Sequence, residues 1–311
     1  MAVASAQPAA VPRAFAPPRR APLYGRALRE IRRDPIAVAG LAVLAVVIFA
    51  AVFGPWLTPA DPTDQELAAR LRPPAWLERG TAEHLLGTDQ LGRDILSRVI
   101  VGARVSVVVG LAVILVAGII GTALGVTAGY FGGKLDSVLI AIIDVVLAFP
   151  SLLLALTVVA VLGPNLVTLV LALTFRAWVV YARVARGQSM SLRQYQFVEA
   201  ARTIGATVPR VLLVHVFPNL IPSLMTIAVL ELARVVLAES SLSFLGLGVQ
   251  PPGISWGLML AEGRNYMLTA NWLVTLPGVL IAATVLSVNV LASHARRVVD
   301  PFQRGRGASE E

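Results

Sequence analysis

The stretch IAVAGLAVLAVVIFAAVFGPWL, Ile36 to Leu57, decides the fold class because it contains no charged residue. A helix crosses a hydrocarbon core of about 30 Å with about 20 apolar residues. The stretch therefore predicts a transmembrane helix, with Pro55 and Pro59 at its end. The whole chain agrees, since 57% of its residues are hydrophobic and only 14% are charged. Soluble domains carry about a quarter charged residues, so the sequence predicts a membrane protein.

Further apolar runs extend this pattern along the chain. They are Val105–Ala128, Val138–Leu162, Leu166–Ala182, Leu220–Leu245 and Leu273–Ala292. Turn-forming residues separate neighbouring runs, as at Gly129–Asp136 and Gly163–Asn165. The sequence therefore predicts an all-α membrane protein with six transmembrane helices. Within the second run, Gly121, Gly125 and Gly129 recur every four residues, which favours close packing against another helix.

The distribution of Lys and Arg predicts the orientation. With the N-terminus inside, the segments 1–35, 129–137, 183–219 and 293–311 face the cytoplasm and hold 17 of these cations. The outer loops hold seven, so the positive-inside rule favours an N-in, C-in topology. Residues 1–35 are interpreted as a basic cytoplasmic tail that leads into an interfacial helix, Leu23–Arg33. For residues 1–20 a merely solubilising tail is an equal alternative.

Composition also excludes several kinds of site. The chain has no cysteine, which excludes disulfides, iron–sulfur clusters and cysteine-based zinc sites. His84, His215 and His294 are too scattered to predict a metal site. The net charge of +8 comes from arginines beside apolar runs, which favours anionic lipid over nucleic acid as the partner. Gly133-Lys134 lacks the spacing of a phosphate-binding loop, so this chain is not expected to bind a nucleotide through such a loop.

The polar segment 183–219, between the fourth and fifth runs, is too long for a simple connection. Its residues predict a helix over Gln194–Ile204 that is closed by Gly205 in the left-handed conformation. A second short helix, Val208–Val216, has a proline in its first turn and is expected to end before Pro218. Pro218 would then bend the chain back into the membrane. A short amphipathic helix in this position suits a groove in a cytosolic partner.

This segment also carries the resemblance to a known family. Glu199-Ala-Ala201, Gly205 six residues after the glutamate, and the later Pro218 resemble the EAA loop of bacterial ABC importer permeases. The ending His215-Val-Phe-Pro-Asn219 resembles the variant found in dipeptide, oligopeptide and nickel permeases. The resemblance implies that this loop docks onto an ATPase subunit. The implied coupling residues are Glu199, Ala200, Ala201, Gly205, His215, Pro218 and Asn219.

Other motifs resemble the C-type permease of the same family, from about Arg26 to Pro301. They are Leu86–Asp94 with Ser97-Arg98, Glu239–Gly248, Gln250-Pro-Pro252, Ser255-Trp-Gly257 and Arg296–Pro301. The resemblance implies a type I importer permease fold in the bacterial inner membrane, without catalytic activity or a bound cofactor. The implied partners are a second permease, identical or homologous, two ATPase subunits that use ATP and Mg, and an extracytoplasmic peptide-binding protein.

The chain is accordingly divided by expected role. Residues 1–35 form the basic tail, 36–104 the first helix and a periplasmic loop, and 105–292 the permease core. The core includes the coupling loop 183–219, and residues 293–311 form a cytoplasmic tail.

Ionisable residues inside apolar runs are candidates for a translocation path, because they are costly in lipid. Asp144, Arg176 and Glu239 are the path candidates, with Arg176 as a possible partner of Asp144. Glu239 is expected near the outer end of its span, where water reaches it. Glu231 and Arg234, three residues apart, are expected to neutralise each other.

Three polar residues precede the second apolar run. Asp89, Arg93 and Asp94 are expected to cap and brace the outer loop. A gate or a contact for the binding protein is the alternative.

Other functions remain open from sequence alone. A nickel or glutathione permease of the same family is the first alternative to a peptide permease. An ion-coupled carrier is disfavoured by the lack of visible internal repetition and by the long ordered loop. A membrane enzyme is disfavoured because no cluster of acid, base and nucleophile is visible.

Overall fold

A computed structural model describes residues 34–299, apart from the side chains of Ala295 and of residues 297–299. The predicted interfacial helix Leu23–Arg33 and the end of the C-terminal tail lie outside the described residues. Within residues 34–299 the regular structure is helical, which confirms the all-α prediction. The long helices are α1 (Pro35–Leu57), α2 (Ile95–Phe131), α3 (Gly133–Ala148), α4 (Ser151–Leu162), α5 (Leu166–Leu192), α7 (Val208–Phe244) and α9 (Trp272–Val299). Two short helices are α6 (Gln196–Thr203) and α8 (Trp256–Gly263).

Aspartates start the first two spans as N-caps. The Asp34 carboxylate accepts a hydrogen bond of 2.9 Å from the backbone N–H of Ile36, which lowers the pKa of Asp34 below its ordinary value. Asp94 accepts one of 2.8 Å from the N–H of Ser97. Because of this cap, α2 begins at Ile95, ten residues before the predicted start of the span. At 37 residues α2 is about 55 Å long, well beyond the hydrocarbon core.

The third predicted span is not one straight helix. α3 and α4 meet at an angle of 89° at Phe149-Pro150. Proline has no backbone N–H and forces the preceding residue out of the helical region, and Phe149 is extended accordingly, with φ −91° and ψ 136°. In the described residues five helices are long and apolar enough to cross a membrane, or six if the bent pair forms one span. The predicted six spans correspond to the second count.

The second helix predicted in the polar segment 183–219, Val208–Val216, differs from its prediction. It does not end before Pro218 but continues as one helix, α7, to Phe244. Residues Val211–Val216 are π-helical, and the N–H of Phe217 bonds to the carbonyl of Leu212, five residues back. This wider turn admits Pro218 at the start of an α-helical stretch, where its missing N–H costs little.

The glycine pattern marks the most extensive helix contact, between α2 and α5. A Cβ on Gly121, Gly125 or Gly129 would clash with the carbonyl oxygens of Trp178, Ala182 and Arg186, respectively. Without side chains at these three positions the two backbones touch, as small-residue patterns allow in membranes. Other long helices pack around this pair: α1 and α7 contact α2, and α9 contacts both α1 and α7.

Candidate functional site

The coupling segment, residues 194–219, is fixed to the ends of three spans by its own apolar core. Val198 and Val211 are 0% exposed and Ala201 is 5% exposed. They pack with Val126 and Tyr130 of α2, Ala185 of α5 and Leu220 of α7. The helix–glycine–helix geometry predicted from sequence is present, since Gly205 has φ +83° between α6 and α7. The segment therefore forms one packed unit with these helix ends.

Its opposite face is exposed. Glu199, Ala200 and Arg202 lie at the surface, and Ile204 is 85% exposed. Tyr195 and Phe197 stack on each other at the surface, with 5.8 Å between the ring centroids. Sequence reasoning missed the two aromatic residues and Ile204, although large apolar residues in and beside a short polar helix are themselves a signal for a docking surface.

Charged side chains attach the coupling segment to α2 and, beside it, join the C-terminal part of α5 to α2 and α3. The guanidinium of Arg202 lies 4.9 Å from the ring centroid of Tyr130, a cation–π geometry. Arg186 pairs with Asp136 at the start of α3 in a two-pronged contact, whose second hydrogen bond is 2.6 Å long. Arg193 donates a hydrogen bond of 3.2 Å to the carbonyl of Tyr130.

The motif's last residues lie on the first turns of α7. The Asn219 amide donates a hydrogen bond of 2.7 Å to the carbonyl of His215. Pro218 and Asn219 are exposed, and His215 is half-buried. The seven coupling residues predicted from sequence thus share one region, and of these seven Ala201 alone is buried.

A cavity of about 260 Å³ lies between α4, α5 and α7. Arg176 of α5 lines it, together with Glu231 and Arg234 of α7. The expected pairing of the last two is present: an Arg234 nitrogen lies 2.6 Å from the carboxylate of Glu231, whose side chain is only 2% exposed. Small and apolar side chains supply most of the remaining wall, with Ser151 and Ser241 as hydroxyl groups.

Of the three predicted path residues, only Arg176 lies at this cavity. Asp144 is 65% exposed, and its nearest cation is Arg183 at 3.9 Å, so the expected pair with Arg176 does not form. Glu239 is 0% exposed, which contradicts the expectation that water reaches it. Ser243 donates a hydrogen bond of 2.9 Å to its carboxylate. Glu239 is therefore a satisfied residue of the helix interface.

An ion-pair network lies at the other end of α2 from the coupling segment. Arg93 bonds to Asp89 at 2.6 Å and to Glu262 at 2.9 Å. Arg98, only 2% exposed, approaches Asp89 at 3.6 Å and Glu262 at 2.7 Å. Asp94 does not join this group but accepts from His84, 3.0 Å away, and caps α2. The network thus connects the loop before α2 to the C-terminal end of α8, where Glu262 lies.

Sequence reasoning singled out Asp89, Arg93 and Asp94 but gave no role to Glu262. Glu262 is 164 and 169 residues away from its two arginines, so no local pattern connects them. Local charge balance gave no signal either, since Asp89 and Asp94 match Arg93 and Arg98 in number.

Replacing Glu262 by alanine is expected to lower the free energy of unfolding by about 3 kcal/mol, since removing one partner of a buried ion pair costs about 3–5 kcal/mol. The variant leaves Arg93 and Arg98 to share Asp89. Thermal unfolding of the purified protein in detergent measures the effect. Glu78→Ala, at an exposed position of the same outer loop, is the matched control. Equal midpoints for the two variants would contradict a stabilising network.

Comparison with known proteins bears on this arrangement. The model of the family described as "Binding-protein-dependent transport system inner membrane component" matches residues 121–305. The chain belongs to this family. A second model, "N-terminal TM domain of oligopeptide transport permease C", matches residues 23–74, which include α1. The chain is thus a membrane permease subunit of ABC transporters, a multi-pass inner-membrane protein and not itself an enzyme.

Relatives of this permease match over most of its length. The di/tripeptide transport system permease protein DppC of Pseudomonas aeruginosa is 42% identical over 85% of this chain and 88% of its own. The dipeptide transport system permease protein DppC of Escherichia coli is 42% identical over 87% and 90%. A solved MetNI methionine ABC transporter aligns with 62% of this chain and 94% of its own, at 21% identity and a TM-score of 0.46. Membership in the family implies ATPase, substrate-binding and second-permease partners.

Proposed function

We propose that this permease is the C-type subunit of an ATP-driven importer of dipeptides and oligopeptides, and that it couples to its ATPase through residues 199–218. The observation that carries the proposal is the coupling segment. Its buried face is fixed to α2, α5 and α7, and its other face is exposed with Glu199 and Ile204. The peptide substrate is supported by the relatives of this permease, which are named for dipeptide and di/tripeptide transport.

Two helices connect the coupling segment directly to the cavity between α4, α5 and α7. Helix α7 begins within the coupling segment and runs without interruption to Glu231 and Arg234 at the cavity. Helix α5 contributes Ala185 to the core under the segment and Arg176 to the cavity. Because packed cores transmit displacement, closure of two ATP-bound motor subunits against this segment would move two walls of the cavity. ATP and Mg would be held by those partner subunits.

We assign a different role to the outer network of Asp89, Arg93, Arg98 and Glu262. Its buried ion pairs hold the loop before α2 against α8, which suits a rigid platform for an extracytoplasmic peptide-binding protein. Bracing fits this geometry better than gating. Each arginine contacts two carboxylates, and movement of the loop would break these contacts and the Asp94 cap at the start of α2.

Reconstitution tests the proposed function. The permease is purified with its second permease and two ATPase subunits, placed in liposomes with ATP inside, and supplied with binding protein and radiolabelled dipeptide outside. We expect peptide accumulation that requires ATP and binding protein, and that is insensitive to a proton-gradient uncoupler. Accumulation of nickel or glutathione but not peptide would contradict the substrate. Uptake driven by a proton gradient without ATP would contradict the mechanism.

A further inference from the structure

Arg176 is a half-buried cation in a transmembrane helix, and its surroundings leave its charge unbalanced. Among the described residues, no carboxylate lies within 4.0 Å of its guanidinium. Ionisable side chains are expensive inside a membrane and, where they occur, face water or a polar partner. Arg176 faces the cavity of about 260 Å³ between α4, α5 and α7.

The other charges in the cavity cancel. Glu231 and Arg234 lie 2.6 Å apart and neutralise each other, so the lining carries one excess positive charge, at Arg176. Nearby low-dielectric walls strengthen the field of such a charge relative to water. The cavity therefore favours an anionic group.

The rest of the lining is poor in specific contacts. Ala155, Ala172, Ala177 and Ala238 keep the walls small and apolar. The volume lies just below the range of about 300–1,000 Å³ that is typical of drug-sized ligands, so a short solute or one end of a longer one fits. An apolar wall of this kind accepts solutes with many different side chains. The single cation then selects for an anionic group that these solutes have in common.

We propose that Arg176 receives the carboxylate of the passing solute, so that the cavity selects for small molecules that carry a carboxylate, such as the C-terminal end of a peptide. This inference rests on the proposed function, because it assumes that solute passes between α4, α5 and α7. A guanidinium binds a carboxylate with two parallel N–H···O bonds, which a lysine ammonium reproduces only as a point charge. An anionic lipid headgroup offers similar chemistry and is distinguished by the experiment.

The absence of cysteine from this chain permits a charge-restoration experiment. Arg176→Cys is introduced into the complete complex, with Arg70→Cys in the exposed outer loop as the matched control. After reconstitution, the cysteine is modified with an aminoethyl methanethiosulfonate, which adds a positive charge, or with a sulfonatoethyl one, which adds a negative charge. Dipeptide uptake is measured before and after each treatment, in liposomes with and without phosphatidylglycerol. The complex that retains Arg176 receives the same reagents, to correct for thiols of the partner subunits.

We expect Arg176→Cys to lower uptake about tenfold, as the loss of one hydrogen-bonded charge predicts, and the positive reagent to recover most of it. The negative reagent should recover none, and lipid composition should not alter this pattern. Because the reagent acts on an assembled complex, recovery cannot come from repaired folding. Arg176→Lys and Arg176→Gln give a second comparison, in which lysine should transport better than glutamine.

Several results would overturn the inference. Uptake by Arg176→Cys equal to that of Arg70→Cys, or equal effects of both reagents, would remove the role of the charge. If the thiol of the Arg176→Cys variant reacts only after denaturation, the cavity is closed to solute. A charge effect confined to liposomes with phosphatidylglycerol would assign Arg176 to lipid. If the complex with Arg176 intact takes up no peptide, the proposed function itself fails, and the inference with it.

Discussion

Replacement of Gly205 by valine is expected to abolish peptide uptake while the transporter complex still assembles. Gly205 has φ +83°, a conformation that costs a β-branched residue about 1–3 kcal/mol. A Cβ at this position meets no atom within 4 Å, so valine creates no clash in the core beneath. The strain therefore acts on the turn itself and changes the angle between α6 and α7. ATP hydrolysis and radiolabelled peptide uptake are measured together in proteoliposomes with equal amounts of complex.

Two matched variants separate conformation from size. Gly205→Asn should retain most uptake, because asparagine adopts positive φ more readily than valine. Gly187→Val places the same side chain at an exposed helical glycine of α5, where a Cβ also meets no atom within 4 Å, and should transport normally. Normal uptake by Gly205→Val at equal abundance would show that the turn does not couple the ATPase to transport.

Replacement of Gly125 by leucine is expected to prevent folding of the permease. A Cβ at Gly125 would lie 2.9 Å from Cα of Ala182 and would also overlap the carbonyl oxygen of that residue. These obstacles are backbone atoms in the middle of a helix, which no rotamer change removes. The two helices would have to separate along the most extensive contact in the structure. The amount of monodisperse protein recovered in detergent measures the effect.

A graded pair on α2 provides the control. Gly125→Ala adds a single methyl group and is expected to lower the free energy of unfolding by about 1–3 kcal/mol, as overpacking does. Gly118→Ala, two turns earlier, brings its Cβ to an ordinary 3.5 Å from the ring of Tyr181. It should be neutral or stabilising by about 0.5–1 kcal/mol, because alanine is the better helix former. Equal stability of the two alanine variants would contradict the close contact.

Features that depend on neighbouring residues were predictable from sequence. The uncharged run of α1 predicted that span, and the structure has it from Pro35 to Leu57. The turn at Gly205 was also predictable, since a glycine that follows a helix commonly adopts positive φ. The break at Phe149-Pro150 was missed because hydropathy is continuous across it, although the proline was a local signal.

Features that depend on distant residues were not predictable. The first turns of α2 contain the buried Arg98, and part of the charge that balances it comes from Glu262, 164 residues away. The interior position of Glu239 depends on serines from its own helix and from α2, such as Ser106, 133 residues away. The continuation of α7 through Pro218 required the π-helical turn, for which propensity gives no signal.

The central claim, that residues 199–218 contact the ATPase, is tested most directly by site-specific photocrosslinking. A benzophenone amino acid replaces Ile204, which is 85% exposed on the coupling segment, or Leu268, which is 97% exposed between α8 and α9. In the assembled complex, we expect position 204 to crosslink to an ATPase subunit, with a yield that changes when ATP is added. Position 268 should give no ATPase product. A lack of ATPase crosslinks from position 204, or equal yields from both positions, would contradict the account.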